Sequence, residues 1–267
     1  MGATGGAPTT IAERFDVFLV DLDGVVYLGS EPLPGAVESL NRLRRIGKQI
    51  RYLTNDPRPR RETISRRLGD LGLQVETEEI VTSGWATARF LSHVGMGTVS
   101  VVGSEDLAAE LRAQGLRLTE DEPEAVVVGA DERTSYRDIQ RAVRHIHRGA
   151  TFVGTNPDGS FPTPEGPAPG AGTIVRAVET AVGVAPILVG KPEPRMFEMA
   201  QEGLPDGARA VVIGDQVETD VLGAHRAGLT GILVAEDDPE VTGVADYRRP
   251  DGRISGLADL FEQSVDA

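Results

Sequence analysis

Cysteine is absent from the chain, which removes disulfides, thiolate catalysis and cysteine-ligated metals from the chemistry open to it. The same absence agrees with a reducing compartment. Lysine is nearly absent: of 27 basic residues only Lys48 and Lys191 are lysine, and the others are arginine. Aromatic residues make up 4% of the sequence, little material for a pocket that stacks a base or a pyridoxal ring. No apolar run approaches the roughly 20 residues that span a bilayer, and the opening segment MGATGGAPTTIAERF has neither the basic start nor the apolar stretch of a secretory signal. Gly2 fits a myristoylation signal, but Gly6 stands where Ser or Thr is required. Net positive charge is lacking too. At a formal charge of −14 the chain has no basic footprint with which to release counterions from nucleic acid or an anionic bilayer. The expectation is a soluble cytoplasmic protein with no nucleic-acid and no membrane partner.

What is present is a regular alternation. At 267 residues, 40% of them hydrophobic, the chain is long enough for one large α/β unit or for a core carrying an inserted smaller domain. Short β-branched runs recur at 16–20, 49–53, 98–102, 125–128, 151–153, 186–189, 210–213 and 231–234. Between them lie amphipathic stretches such as AVESLNRLRRIG and YRDIQRAVRHIHRG, several closed by a glycine able to cap a helix. Strands that alternate with helices predict a doubly wound parallel sheet covered on both faces. The Pro/Gly-rich segment at 161–172 and a weaker break at 92–97 bracket three of the strand candidates, which predicts a small inserted domain.

In an open parallel sheet ligands bind beyond the carboxyl ends of the strands, and four such ends carry matched polar chemistry. The run DVFLV stops at Asp21 and Asp23, two apart and so on one face, with Gly24 freeing the turn. One carboxylate could attack phosphorus while the other serves the ester oxygen as acid or base; an Asp-Gly turn that merely ends a strand is the plainer alternative. Thr54 and Asn55 follow the second strand and could hold phosphate oxygens, although Thr-Asn-Asp-Pro is also an ordinary helix entry. Lys191 follows the run PILV, where a compact ammonium could offset an attacking carboxylate and a phosphoryl group. Asp215 ends the run AVVI and Asp220 comes about one helical turn later, a pair of hard oxygen donors suited to magnesium or, equally, a helix cap and a first-turn acid.

Together DLDGVVYLG, LTND, TNPD, GKP and GDQVETD resemble, in order and interval, the haloacid dehalogenase superfamily of aspartate-nucleophile phosphatases, and more closely its class IIA branch. That branch includes p-nitrophenylphosphatases, phosphoglycolate and glycerol phosphate phosphatases, pyridoxal phosphate phosphatase and NagD-type nucleotide phosphatases. The resemblance implies a Rossmann-like core in two parts, 1–95 and 186–267, with an α/β cap inserted at 96–185. It implies Mg2+-dependent hydrolysis of a small phosphate monoester through an aspartyl-phosphate. Asp21 would be the nucleophile, Asp23 the acid and then base with its backbone carbonyl on the metal, and Lys191 the charge-neutralising lysine. Thr54 and Asn55 would bind phosphate, Asp215 and Asp220 would complete the metal site with Asp21, and Asn156 and Asp158 of the cap loop would face the substrate. A dimer paired through the caps belongs to the same expectation. Asp56 departs from the pattern, since many members carry a second asparagine there. A phosphomutase or phosphotransferase on the same core, and a receiver-like module that keeps its phosphate, are the alternatives. A dehalogenase fits less well, because Asp23 suits an ester oxygen and not a halide. A dinucleotide binder lacks its G-x-G-x-x-G after the first strand.

Overall fold

The computed structural model describes residues 9–161, 163, 166–235 and 246–264. The opening segment read above for a targeting signal lies largely outside them, as do three residues of the Pro/Gly-rich loop.

Valine and isoleucine runs set the strands: β1 (Val17–Asp21), β4 (Gln49–Thr54), β5 (Ile80–Thr82), β6 (Thr98–Val102), β8 (Ala125–Val128), β9 (Thr151–Gly154), β13 (Ala210–Gly214) and β14 (Thr230–Val234). Shorter pieces are β2 (Tyr27–Leu28), β3 (Glu31–Pro32), β7 (Arg117–Leu118), β10 (Ser160–Phe161), β11 (Ala168–Pro169), β12 (Ile187–Leu188) and β15 (Gly252–Ile254). The helices are α1 (Ile11–Arg14), α2 (Ala36–Arg45), α3 (Arg61–Asp70), α4 (Ser83–His93), α5 (Glu105–Ala113), α6 (Tyr136–His147), α7 (Ala171–Val182), α8 (Pro194–Ala200) and α9 (Leu222–Arg226).

Six strands form a parallel sheet in the order β15-β14-β13-β1-β4-β5, and five form a second parallel sheet in the order β12-β9-β8-β6-β7. Two antiparallel ribbons, β2-β3 and β10-β11, flank the space between them. All five residues of β1 are buried, as a strand covered on both faces requires. Its alternate side chains divide between two cores. Phe18 and Val20 pack with Leu40 and Leu43 of α2 and Ile64 and Leu68 of α3, whereas Val17 and Leu19 pack with Trp85 of α4 and Met196 and Phe197 of α8.

The second sheet is covered on one face by α6 and α7, where Val126, Val128 and Phe152 meet Ala142, Val175 and Val178. Its other face is not a separate core. Val99, Val127 and Val153 join Leu107 and Leu111 of α5 in the same cluster that holds Trp85 and Val17. The division expected at 185 falls ahead of β12, which pairs with β9 through Ile187↔Val153 and Leu188↔Gly154. The chain leaving α7 thus completes the edge of the small sheet, satisfying its own backbone groups there, before it turns into the main sheet's crevice.

Among the described residues no helix is long and apolar enough to cross a membrane.

Candidate active site

Strand order reverses at β1: β4 lies on one side of it and β13 on the other. A crevice opens beyond the carboxyl ends at such a switch point, and Asp21, the last residue of β1, and Asp215, the first after β13, stand on its two rims. Asp220 sits in a π-helical turn, Val217–Val221, which brings it back over the end of β13. Gly24 has φ +81°, and a Cβ there would lie 2.3 Å from Asp215 Oδ2. Only glycine serves both the backbone turn and this close approach of the two loops.

Lys191 lies between the carboxylates. Its Nζ is 2.5 Å from Asp21 Oδ1 and 2.6 Å from Asp220 Oδ1, and the exposures of the three residues are 3%, 7% and 1%. Asp220 Oδ2 also accepts from the Gln216 N–H at 3.2 Å and the Thr219 hydroxyl at 3.3 Å. Asp215 Oδ1 is buried without a hydrogen-bond partner. Carboxylate oxygens of Asp21, Asp215 and Asp220 lie within 4.8 Å of one another. Three hard oxygen donors converging in that way, one with an unsatisfied buried lone pair, fit a divalent cation of the magnesium type.

Burial pushes Asp21 well above the usual carboxylate range, Lys191 opposes that shift, and the charges of Asp220 and Asp215 add to it. Burial alone would lower the Lys191 ammonium, but Asp21 and Asp220 outweigh it and hold the group above an ordinary lysine. Burial, then the charge of Asp220, push Asp215 up to about 6 from 3.8. A carboxyl raised on folding favours the folded state only while protonated, so its contribution is present below pH 3.8 and is lost as pH rises through about 6. In metal-free protein the Asp215→Asn variant should therefore melt higher than the parent, by a margin that widens between about pH 4 and about pH 6. Calorimetry in chelator checks this, and a margin that narrows over that interval would contradict it.

Thr54 and Asn55 end β4 beside this cluster, both buried. The Asn55 side chain grips the backbone of Lys191 from both sides: its Oδ1 accepts from the Lys191 N–H at 2.8 Å and its Nδ2 donates to the Lys191 carbonyl at 3.0 Å. The same Nδ2 donates to the Asp158 carboxylate at 3.0 Å. With both amide hydrogens engaged, this side chain fixes the lysine in place of offering a donor to phosphate. Thr54 Oγ1 lines the cavity and accepts from the Asp56 N–H at 3.1 Å.

Asn156 is 2% exposed, donates to the Asn55 carbonyl at 2.6 Å and accepts from the Asp158 N–H at 3.0 Å. The loop after β9 is thereby fastened to the end of β4, which delivers Asp158 to the cavity wall. Asp56 is held bidentate by Arg58, with both bonds at 2.8 Å, so the departure from the motif comes with its own counter-charge. Asp23 lines the cavity near the nucleophile; burial first and the charge of Asp56 second raise its carboxyl.

The cavity, open on one side, has a volume of about 300 Å³. Tyr27, Arg58, Arg67 and Phe161 line it and were not singled out in the sequence. Arg67 stacks over the Tyr27 ring at 3.7 Å and donates to the Gly29 carbonyl, and Arg58 stacks over Phe161 at 4.0 Å. Among 25 arginines nothing in the pattern marks these two, because what distinguishes them is the neighbour each meets across the fold.

Residues 18–117 match the family model of haloacid dehalogenase-like hydrolases, and residues 188–260 match a second model of HAD-hydrolase-like proteins. The chain is 39% identical to chronophin of Mus musculus, over 97% of this chain and 96% of that protein. It is 38% identical to D-glycerol 3-phosphate phosphatase of Mycobacterium tuberculosis over 84% of this chain, and it spans 64% of the length of that protein. A crystal structure of glycerol phosphate phosphatase from Mycobacterium tuberculosis in complex with magnesium superposes with a TM-score of 0.89 at 34% identity, covering 96% of this chain and 79% of that one.

Proposed function

The chain belongs to the haloacid dehalogenase-like hydrolase family, and on that premise we propose that it hydrolyses small phosphate monoesters with Asp21 as the nucleophile and magnesium as the cofactor. The observation that carries this reading is the buried triad in which Lys191 Nζ touches Asp21 and Asp220 while Asp215 presents an unpartnered oxygen beside them.

In the first step the Asp21 carboxylate attacks phosphorus, and a bond from its oxygen to phosphorus forms as the bond to the ester oxygen breaks. Asp23, whose raised pKa favours the protonated form, gives its proton to the departing oxygen. The product alcohol leaves and an aspartyl-phosphate remains. In the second step water attacks that phosphorus, Asp23 takes a proton from the water, and Asp21 is regenerated as inorganic phosphate departs. Lys191 offsets the crowded anions throughout, and Asn55 holds it in register. Asp21, Asp215 and Asp220 would hold the cation, with the Asp23 backbone carbonyl as the further ligand implied by the motif. When bound, magnesium supplies positive charge to the phosphate oxygens, without which a carboxylate and a phosphate dianion repel by several kcal/mol in a water-poor site. Phosphoryl transfer gains mainly from such positioning and charge. The same chemistry rests with a cytoplasmic enzyme of small metabolites, consistent with the charge of −14. Two copies would pair through the cap.

The test is sustained release of phosphate from p-nitrophenyl phosphate with magnesium. Many turnovers are expected, whereas a receiver-like module would stop after one. Excess chelator should reduce turnover to background, and added magnesium should restore it. Magnesium at about 100 times its Kd should also stabilise the fold by about 2.7 kcal/mol in a thermal melt. Undiminished hydrolysis in chelator would sink the metal-dependent mechanism.

A further inference from the structure

The loop from Thr54 to Arg61 joins the end of β4 to the first turn of α3, and it brings Thr54, Asn55, Asp56 and Arg58 to the cavity wall. Its own sequence does little to hold its far end. Arg60 stands at the N-cap of α3 and makes no side-chain cap, although the first N–H groups of a helix need partners from outside it. The partner comes from α5, beside the second sheet. Glu110 Oε1 accepts from the Arg61 N–H at 3.3 Å, and the Arg61 Nε lies 3.9 Å from the same oxygen.

Glu110 is 4% exposed and has no task in the two steps of phosphoryl transfer. Burial raises its carboxyl above the usual range, opposed first by the Arg61 N–H and then by the Arg61 charge. A leucine of similar volume would avoid that desolvation, so the acid is not explained by stability alone. Two more residues on the same side of α5 meet the loop or the seam beneath it. The Ser104 hydroxyl donates to the Arg58 carbonyl at 3.1 Å. Leu107, fully buried, fills the space beside Gly84 of α4 and Gly129 after β8, where a Cβ would come within 3.1 and 2.7 Å of its methyl groups. The helix therefore sits tightly against the joint, with Ser104 holding one end of the segment 58–61 and Glu110 the other.

We propose that Glu110 is a positioning residue for phosphoryl transfer: by capping α3 from the helix of the neighbouring sheet, it fixes the loop 54–61 and, through Asn55, the register of Lys191 against Asp21. The contacts are continuous. Glu110 holds Arg61, Ser104 holds Arg58, and Asn55 at the start of the same loop grips the Lys191 N–H and carbonyl. Lys191 in turn meets the nucleophile at 2.5 Å. Glu110 itself touches neither the substrate nor the metal. The inference rests on the phosphatase reading above.

The experiment compares the parent with Glu110→Leu, Glu110→Gln and Ser104→Asp. It measures turnover of p-nitrophenyl phosphate, inhibition by inorganic phosphate, and melting with and without magnesium. Glu110→Leu removes the acceptor and should lower kcat/KM about tenfold, because small displacements of positioning groups are costly to the transition state. Its inhibition constant for phosphate should rise several-fold. Glu110→Gln keeps a carbonyl oxygen for the Arg61 N–H and should hold both values within about twofold of the parent. Ser104→Asp keeps an N-cap for α5 but cannot donate to the Arg58 carbonyl, so both values should shift as in the leucine variant, by about threefold. The rise in melting temperature on adding magnesium should be the same in all four proteins, since Asp21, Asp215 and Asp220 lie at the ends of β1 and β13 and not on this loop. A merely structural Glu110 would give a lower melting temperature in the leucine variant with kcat/KM and phosphate inhibition unmoved, and that result overturns the assignment. Equal losses in the glutamine and leucine variants overturn it too, as does a magnesium response that collapses with Glu110→Leu. If the leucine variant does not fold, Ser104→Asp decides alone, and parental values there overturn the assignment. Failure of the parent to turn over p-nitrophenyl phosphate would instead sink the phosphatase reading, and the assignment with it.

Discussion

With Asp21 replaced by asparagine, kcat/KM should fall by roughly 10⁴-fold or more, because the amide keeps the shape but has no nucleophilic oxygen to esterify. The loss should appear in kcat for every ester, since the variant still presents the same cavity. A second consequence runs the other way. Asp21, Asp215 and Asp220 crowd within 4.8 Å with Lys191 as the shared counter-charge, and Asp21→Asn removes one of the repelling carboxylates. In chelator the variant should melt above the parent, whereas the rise in melting temperature on adding magnesium should shrink, because one of its ligands is neutral. Gain of metal-free stability together with loss of turnover is the expected pattern at a site whose groups are arranged for chemistry at the expense of folding. Phosphate release measured beside melts with and without magnesium checks both halves. Activity within tenfold of the parent would remove Asp21 from the mechanism.

Lys191→Met should be the most destabilising single change near the cavity. Methionine approximates the volume of the lysine stem, so the effect is one of charge: Asp21 and Asp220 are left buried without the ammonium that sits 2.5 and 2.6 Å from their oxygens. Breaking one partner out of a buried ion pair costs about 3–5 kcal/mol, a drop in melting temperature on the order of 10 °C for a chain of this size. Turnover should fall by about 10²-fold or more, since the developing charge at phosphorus loses its fixed cation. Lys191→Arg should not rescue it, because a planar fork cannot occupy the point that a compact ammonium holds between two carboxylates. The double variant Asp21→Asn/Lys191→Met should recover part of the stability, giving a coupling that additive losses cannot produce. Denaturant unfolding of the four proteins in chelator measures it, and strict additivity would mean that the ion pair seen between these side chains does not contribute.

The chemical groups of the site were legible because they interrupt strong local patterns. The run Val17–Val20 is apolar until Asp21 breaks it, and Lys191 is one of only two lysines. What each polar group touches was less legible. Asn55 reads locally as a helix entry or a phosphate contact, but its partner Lys191 lies 136 residues away in sequence. The ion pair of Asp56 with Arg58 spans only two residues, and the intervening proline in effect announces the turn that makes it. The eight strands expected from β-branched runs are all present, whereas β5 (Ile80–Thr82) and β15 (Gly252–Ile254), the two edges of the main sheet, were not singled out because three residues carry little pattern. The sheet to which Ile187–Leu188 belongs was not legible either, since two residues carry too little pattern to name their neighbour and the path of the chain after α7 decides it.

The apolar face of the small sheet and α5 share one cluster with α4 and the main sheet, and Trp85, the sole tryptophan, lies 7% exposed in that seam. The two sheets are therefore coupled through shared apolar burial, and pulling them apart would bare an oily surface on both.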